Sequence, residues 1–306
     1  MRRPPARFGR EAASSDSACG DAVEELMWSY RTWIDQFRRM TPLELFRFQV
    51  RRVRGVRAAE KVFWKAERET PDRTLEKLTV PAGRGRRRFA QRPPLLFRLA
   101  PALECRGVSS LGSFRATLSD DRQLLLDAYR PVDAAFKVVG TGSVGSRDYV
   151  VMLLGAGTDM PLFLQIKQEF ASAYAPFLRR AARVTHEGRR VAQAQHRMQT
   201  LSDPLLGWTR IEGRLFLVRH LSDHKAAIEP GDLKGSALTE YARLAGELFA
   251  KAHARTGDPA QIDGYHGNSE KLDRAIRRFA VAYANQTTRD YSTFRAGYRT
   301  RRRPRV

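Results

Sequence analysis

Two apolar runs flank the glycine pattern Gly140-Thr-Gly142-Ser-Val-Gly145, and this arrangement restricts the possible folds more than any other stretch of the chain. Phe136-Lys-Val-Val leads in and Arg147-Asp-Tyr-Val-Val-Met-Leu-Leu leads out. After the turn Gly155-Ala-Gly-Thr-Asp159 comes Leu162-Phe-Leu-Gln-Ile-Lys167-Gln-Glu. The G-x-G-x-x-G spacing serves two phosphate chemistries, dinucleotide binding where a strand turns into a helix and the loop that covers phosphates in protein kinases. The segment after Gly145 is β-branched and aromatic without a helical period, so the glycines are expected to cap a β-hairpin rather than open a helix. That removes most of the support for a dinucleotide. In the kinase-like arrangement, glycine lets backbone amides approach phosphates while a lysine on the third strand neutralises their charge. Lys167 occupies that place. The competing explanation is a structural glycine hairpin with a solvated lysine at a strand edge.

Around this core the chain divides by composition. Residues 1 to 20 are mostly Arg, Pro, Ser and Ala and are expected to be a disordered tail. From about Asp21 a helix is expected, with Val23, Leu26, Met27, Tyr30, Ile34 and Phe37 in one apolar stripe. Thr41-Pro42-Leu43-Glu44 carries an N-cap, a proline at the first helical position and a capping-box glutamate, which starts a second helix. Residues 70 to 112 are rich in Pro and Gly and suggest a long connection with short extended pieces, completing an N-terminal segment over 21 to 112. Asp120 to Arg130 suggests a helix, and Leu215-Phe-Leu-Val-Arg219 returns to strand character, so a sheet of at least four strands is expected within 113 to 230. Residues 231 to 296 show helical stripes through Leu238, Tyr241, Leu244, Leu248 and Phe249 and again through Ile276, Phe279 and Tyr283, followed by a basic tail from 297 to 306.

Charge and cysteine content narrow the function classes. The net charge of +22 favours non-specific attraction to nucleic acid at low salt. The basic residues concentrate in short runs such as Arg84 to Arg88 and Arg299 to Arg305, however, and no zinc-finger or RNP pattern and no aromatic interleaving accompanies them. No apolar run approaches the ~18 residues of a membrane span, so no membrane partner is expected. The two cysteines, Cys19 and Cys105, make neither a disulfide framework nor a metal cluster, and a cytoplasmic location is the default. His220 and His224 are four apart but on a strand and a loop, and His253 ends a helix, where a structural role is the simpler assignment.

The segments Lys137-Val-Val-Gly-Thr-Gly-Ser-Val-Gly-Ser-Arg147, Leu162-Phe-Leu-Gln-Ile-Lys-Gln168, Gly188-Arg-Arg-Val191, Leu206-Gly-Trp-Thr-Arg210, His253-Ala-Arg-Thr-Gly-Asp258 and Ala282-Tyr-Ala-Asn-Gln-Thr-Thr-Arg-Asp290 follow one another in a fixed order. In these the chain resembles the bacterial family called domain of unknown function 2252. A weaker similarity runs upstream through Met40-Thr-Pro-Leu43 and Pro93-Pro-Leu95. The resemblance implies kinship to kinase-like phosphotransferases of the aminoglycoside-phosphotransferase type. It also implies a Gly-Asp-x-His-x-x-Asn element and an Asp-Phe-Asp, carrying the catalytic base and metal ligands, ahead of the first helix. Neither pattern occurs in these 306 residues. The family often has an acidic residue where Gln193 stands, which leaves Glu187 and Gln193 as candidate partners of Lys167 on the following helix, with Glu169 or the missing half as other sources of the carboxylate.

The chain is therefore expected to be an α+β, kinase-like remnant, with a small antiparallel sheet bearing the Gly-rich hairpin and a larger, mainly helical part. The candidate nucleotide or phosphate contacts are Gly140, Gly142, Ser143, Gly145, Arg147 and Lys167, and the wall behind a base would be Val218, Arg219 and Leu221. No catalytic or metal-ligating residue is assigned. ATP with Mg²⁺ is the candidate ligand, with no other cofactor, and a second polypeptide is the candidate source of the missing catalytic half. Two alternatives stay open, a non-catalytic scaffold with a structural hairpin and a basic nucleic-acid binder.

Overall fold

A computed structural model describes residues 10, 14–50, 60, 62, 64–66, 68, 70–83, 85–140, 144–155, 160–178, 184–221 and 227–301. No helix among the described residues is long and apolar enough to cross a membrane. The fold is mixed α+β and separates into two compact units, one from residues 65–225 and one from the two ends of the chain, 1–64 with 226–306.

The first unit is built on a six-stranded antiparallel sheet. Its strands are β3 (Leu96–Arg98), β4 (Tyr129–Lys137), β5 (Asp148–Gly155), β6 (Pro161–Gln168), β7 (Gly207–Ile211) and β8 (Arg214–His220), in the spatial order β3-β4-β5-β6-β8-β7. A two-stranded ribbon, β1 (Thr79–Pro81) with β2 (Arg87–Phe89), accompanies it. β5 and β6 are buried along most of their length because both sheet faces are covered, which is why they read as continuous apolar runs rather than alternating ones. On one face Leu111, Phe114, Leu118 and Leu126 pack against Tyr149, Val151, Leu164, Ile166, Phe216 and Val218. On the other, Phe89, Ala90 and Leu96 cover Ala135, Val150, Met152 and Phe163.

Residues 70 to 112 carry the expected short extended pieces, but helices as well. They form α3 (Pro71–Leu78), β1, β2, β3 and most of α4 (Pro101–Arg115). Pro71 and Pro101 each stand in the first helical turn, where a missing N–H is no loss, so two of the apparent breakers are helix starts. The expected boundary at 112 cuts through α4. The next helix, α5 (Asp120–Asp127), stops before Tyr129, which already belongs to β4. The helix expected after β6 is α6 (Glu187–Met198).

The second unit packs α1 (Asp16–Phe37) and α2 (Pro42–Arg47) with α7 (Ser236–Thr256), α8 (Pro259–His266) and α9 (Lys271–Arg301). The Ser15 side chain caps α1 by accepting the Ala18 N–H, so the helix starts five residues earlier than the tail boundary predicted from composition. Cys19 is accordingly buried rather than in a polar tail, packing with Val23 against Ile276 and Ala280. The Thr41–Glu44 capping box at α2 forms as expected. Gly246 on α7 lets that helix lie against α1: a Cβ there would meet the Leu26 carbonyl oxygen and come within 2.9 Å of the Ser29 Cβ. Ser29 Oγ then donates to the Arg243 carbonyl at 2.8 Å. The basic tail expected from 297 is in its first part helical, since α9 continues to Arg301.

Candidate phosphate site

The glycine pattern lies in the turn between β4 and β5, whose register pairs Phe136 with Tyr149 and Ala135 with Val150, so the expected hairpin is present. Gly145 has φ +86°, a left-handed conformation that a Cβ would strain, and Gly140 has open space where a Cβ would stand. Gly142 and Ser143 lie outside the described residues.

Lys167 is on β6, the third strand from the start of the hairpin, directly opposite Asp148 on β5 and Leu217 on β8. Because side chains alternate along a strand, Asp148, Gln165, Lys167, Leu217 and Arg219 all belong to one sheet face. α6 covers part of that face. Gly188 in its first turn sits over the β8 backbone, and Ala192 packs with Leu217 and Leu206. The expected elements of hairpin, strand lysine and following helix thus converge on this face.

The partner of Lys167 is Glu169, with Nζ 3.1 Å from Oε1 and both groups partly buried. Glu169 directly follows the end of β6, and two residues along extended chain return to the same face, so the carboxylate comes from the lysine's own segment rather than from α6. Glu187 instead binds Arg190 within α6. Gln193 lies half-buried on α6, beside the sheet-facing Ala192.

Arg147, the candidate second cation, pairs with a carboxylate of its own. Its guanidinium is 3.1 Å from Glu212 in the β7–β8 turn, a carboxylate that also takes Arg106 and lies 3.7 Å from Arg214. Arg106 foremost, and Arg147 after it, hold the Glu212 carboxyl below its usual range. Val218, expected in the base-pocket wall, points into the opposite core with Phe216, because it is one residue out of phase with Leu217 and Arg219. Arg219 is on the Lys167 face, and Leu221 packs against the cluster of Phe89, Val150 and Phe163.

A polar network across three strands escaped the sequence analysis. Arg219 Nε donates to Gln165 Oε1 at 2.8 Å, and the Gln165 amide nitrogen approaches both Asp148 oxygens at 2.8 Å. Asp148 and Gln165 are each 1% exposed. A buried carboxylate needs donors, and Gln165 relays between it and the arginine. The available signal was the polar Gln165 inside an apolar strand, two residues before Lys167.

Among the described residues no group of three His, Cys, Asp or Glu could hold a metal ion. The largest cavity described, about 730 Å³, lies in the helical unit and is lined by Trp33, Met40, Glu44, Arg47, Phe48, Gln49 and Glu247.

A family model described as an uncharacterized protein conserved in bacteria (DUF2252) matches residues 7–297. No curated protein and no solved structure matches the chain.

Proposed function

The chain belongs to the bacterial DUF2252 family, and on that premise we propose that its sheet unit binds the phosphates of a nucleotide, with MgATP the ligand its residues suit best. The observation that carries this reading is Lys167 held by Glu169 on the third strand of a glycine hairpin, facing the hairpin's return at Asp148. A lysine oriented by a carboxylate and backbone amides freed by glycine are the two devices with which kinase-like sites hold β- and γ-phosphates. The open backbone around Gly140 and the left-handed Gly145 suit close approach of an anion. Gly142 and Ser143 join the proposal on sequence grounds alone. Mg²⁺ enters as the companion of the ATP phosphates, with no chelating cluster assigned to it among the described residues.

The chain by itself is proposed not to transfer phosphate, because its sequence contains neither of the patterns that would supply a base and metal-binding aspartates. A second polypeptide is the proposed source of those groups.

One observation favours a structural hairpin instead. Lys167 and Arg147 already have carboxylate partners, and part of the inner face is filled by Phe89, Leu96, Met152 and Phe163. Titration of MgATP by calorimetry, with Lys167→Ala beside it, separates the two. Saturable binding that weakens at least tenfold in the variant supports the nucleotide site. Absence of heat from both proteins at millimolar ATP leaves the hairpin structural.

A further inference from the structure

The last helix, α9, changes character halfway along. Its first half is seated on α1: Ile276 and Ala280 pack on Cys19 and Val23, Arg31 forms a bidentate pair with Asp273, and Arg277 binds Asp21 and Glu24. These pairings run antiparallel, with Arg31 near Asp273 and Cys19 near Ala280. α1 therefore reaches its N-terminus at Asp16 while α9 continues for another 21 residues, from 281 to 301. At 1.5 Å per residue that continuation extends about 30 Å.

The face used against α1 does not end there. Ile276, Ala280, Tyr283, Thr287, Tyr291, Phe294 and Tyr298 follow one another at spacings of three and four, which keeps them on one side of the helix. Beyond α1 this side is aromatic and more than half exposed. Tyr283, Tyr291, Phe294 and Tyr298 are 52 to 67% exposed, Phe294 stacks on Tyr298, and Arg295 lies 5.9 Å over the Tyr291 ring. An exposed aromatic row of this length, continuous with a packed seam, marks a contact surface rather than a solvated face.

We propose that the second half of α9 docks an acidic amphipathic helix of another polypeptide, laid in line with α1 as a continuation of the α1–α9 seam. The charge pattern selects this occupant. From 281 to 301 the helix carries Arg289, Arg295, Arg299 and Arg301 against a single acid, Asp290. A second copy of the chain would bring the same arginines and a net charge of +22 to the contact. The chain's own first thirteen residues hold four arginines and one glutamate, again the wrong sign. A helix with apolar residues at heptad spacing and glutamates on its flanks matches both the stripe and its rim.

The test uses the full chain and two fluorescent synthetic peptides of about 20 residues, long enough to be helical on binding. Both contain the same leucines and glutamates, one with leucines at heptad spacing and one with them scrambled. Anisotropy should show at least tenfold tighter binding of the heptad peptide, and the double variant Phe294→Ser, Tyr298→Ser should lose that margin. Both side chains are exposed, so the variant's circular dichroism should match the parent's. Equal binding of the two peptides would reduce the surface to charge alone and overturn the proposal. So would binding of neither peptide, displacement of the heptad peptide by oligo-dT at low micromolar concentration, or a dimer in sedimentation that the double variant abolishes.

Discussion

Gly188→Ala tests how α6 is held over the sheet. A Cβ at 188 would lie 2.5 Å from the Phe216 carbonyl carbon and 2.9 Å from the Leu217 nitrogen, and closer still to the Phe216 oxygen. All three are backbone atoms of a strand bonded on both sides, so they cannot turn away as a flexible side chain would. The helix must retreat instead, loosening the contacts of Ala192 and Val191 with Leu217 and Trp208. Overpacking of this kind costs about 1–3 kcal/mol, and the severity of the contact puts this case near the top of that range. Replacing glycine by alanine within a helix returns about 1 kcal/mol. The net loss is about 2 kcal/mol, which with a urea slope of about 2 kcal/mol per M lowers the midpoint by about 1 M. Gly112→Ala is the control, since it lies in α4 with nothing near the added Cβ, and it should gain up to about 1 kcal/mol from propensity. Urea unfolding of the three proteins, followed at 222 nm, gives the answer. A Gly188→Ala midpoint equal to or above the parent's would refute the seating of α6 on β8.

Three further outcomes follow from pairs and networks. Arg31→Met strands the Asp273 carboxylate, whose side chain is only 5% exposed, and should cost about 3–5 kcal/mol; adding Asp273→Leu should recover most of it, as measured in a double-mutant cycle by denaturant unfolding. Gln165→Leu removes the relay between Arg219 and Asp148 and should cost about 2–3 kcal/mol, and a value near zero would mean the network contributes nothing to stability. His186 caps α6 by accepting the Arg189 N–H at Nδ1, which only the neutral ring can do, and burial, with Arg210 second, pushes its pKa below the usual value of about 6.5. The unfolded chain then takes up the proton first as pH falls, so the contribution present above about pH 6.5 declines below it and is lost once pH passes the lower folded pKa. His186→Asn keeps an acceptor at the cap without titrating, and its unfolding midpoint should vary less between pH 7.5 and 5.5 than the parent's.

The parts of the fold that follow a simple period could be read from the residues. The glycine hairpin, the strand bearing Lys167 and the helix after it are visible because β5, β6 and α6 keep their patterns over eight or more residues. The region from 70 to 112 was not legible, because proline marks a helix start as readily as a break and the strands there are only three residues long. In the site, what the residues leave open is phase and register. Glu169, one of the carboxylates open to Lys167 from sequence, shares its face by the same alternation that puts Val218 on the opposite face from Arg219, so both placements follow once the strands are accepted. The engagement of Arg147 with Glu212 does not, since it depends on where the β7–β8 turn falls in space. The Asp148–Gln165–Arg219 network likewise needs the order in which three separate strands pair.

The helical unit is assembled from both ends of the sequence, with the whole sheet unit between them. This imposes a timetable on synthesis. α1 is complete at Phe37, but α7, against which it buries Ala22, begins only at Ser236. At about 5–20 residues per second the ribosome needs roughly 10–40 s to bridge that interval. Throughout it Val23, Ile34 and Phe37 have no C-terminal helices to cover them, while residues 65–225 have every strand and covering helix needed to close their own core. The nascent chain is thus expected to hold a finished sheet unit while its first helix still waits for a mate, which makes that helix the natural point of capture for a chaperone.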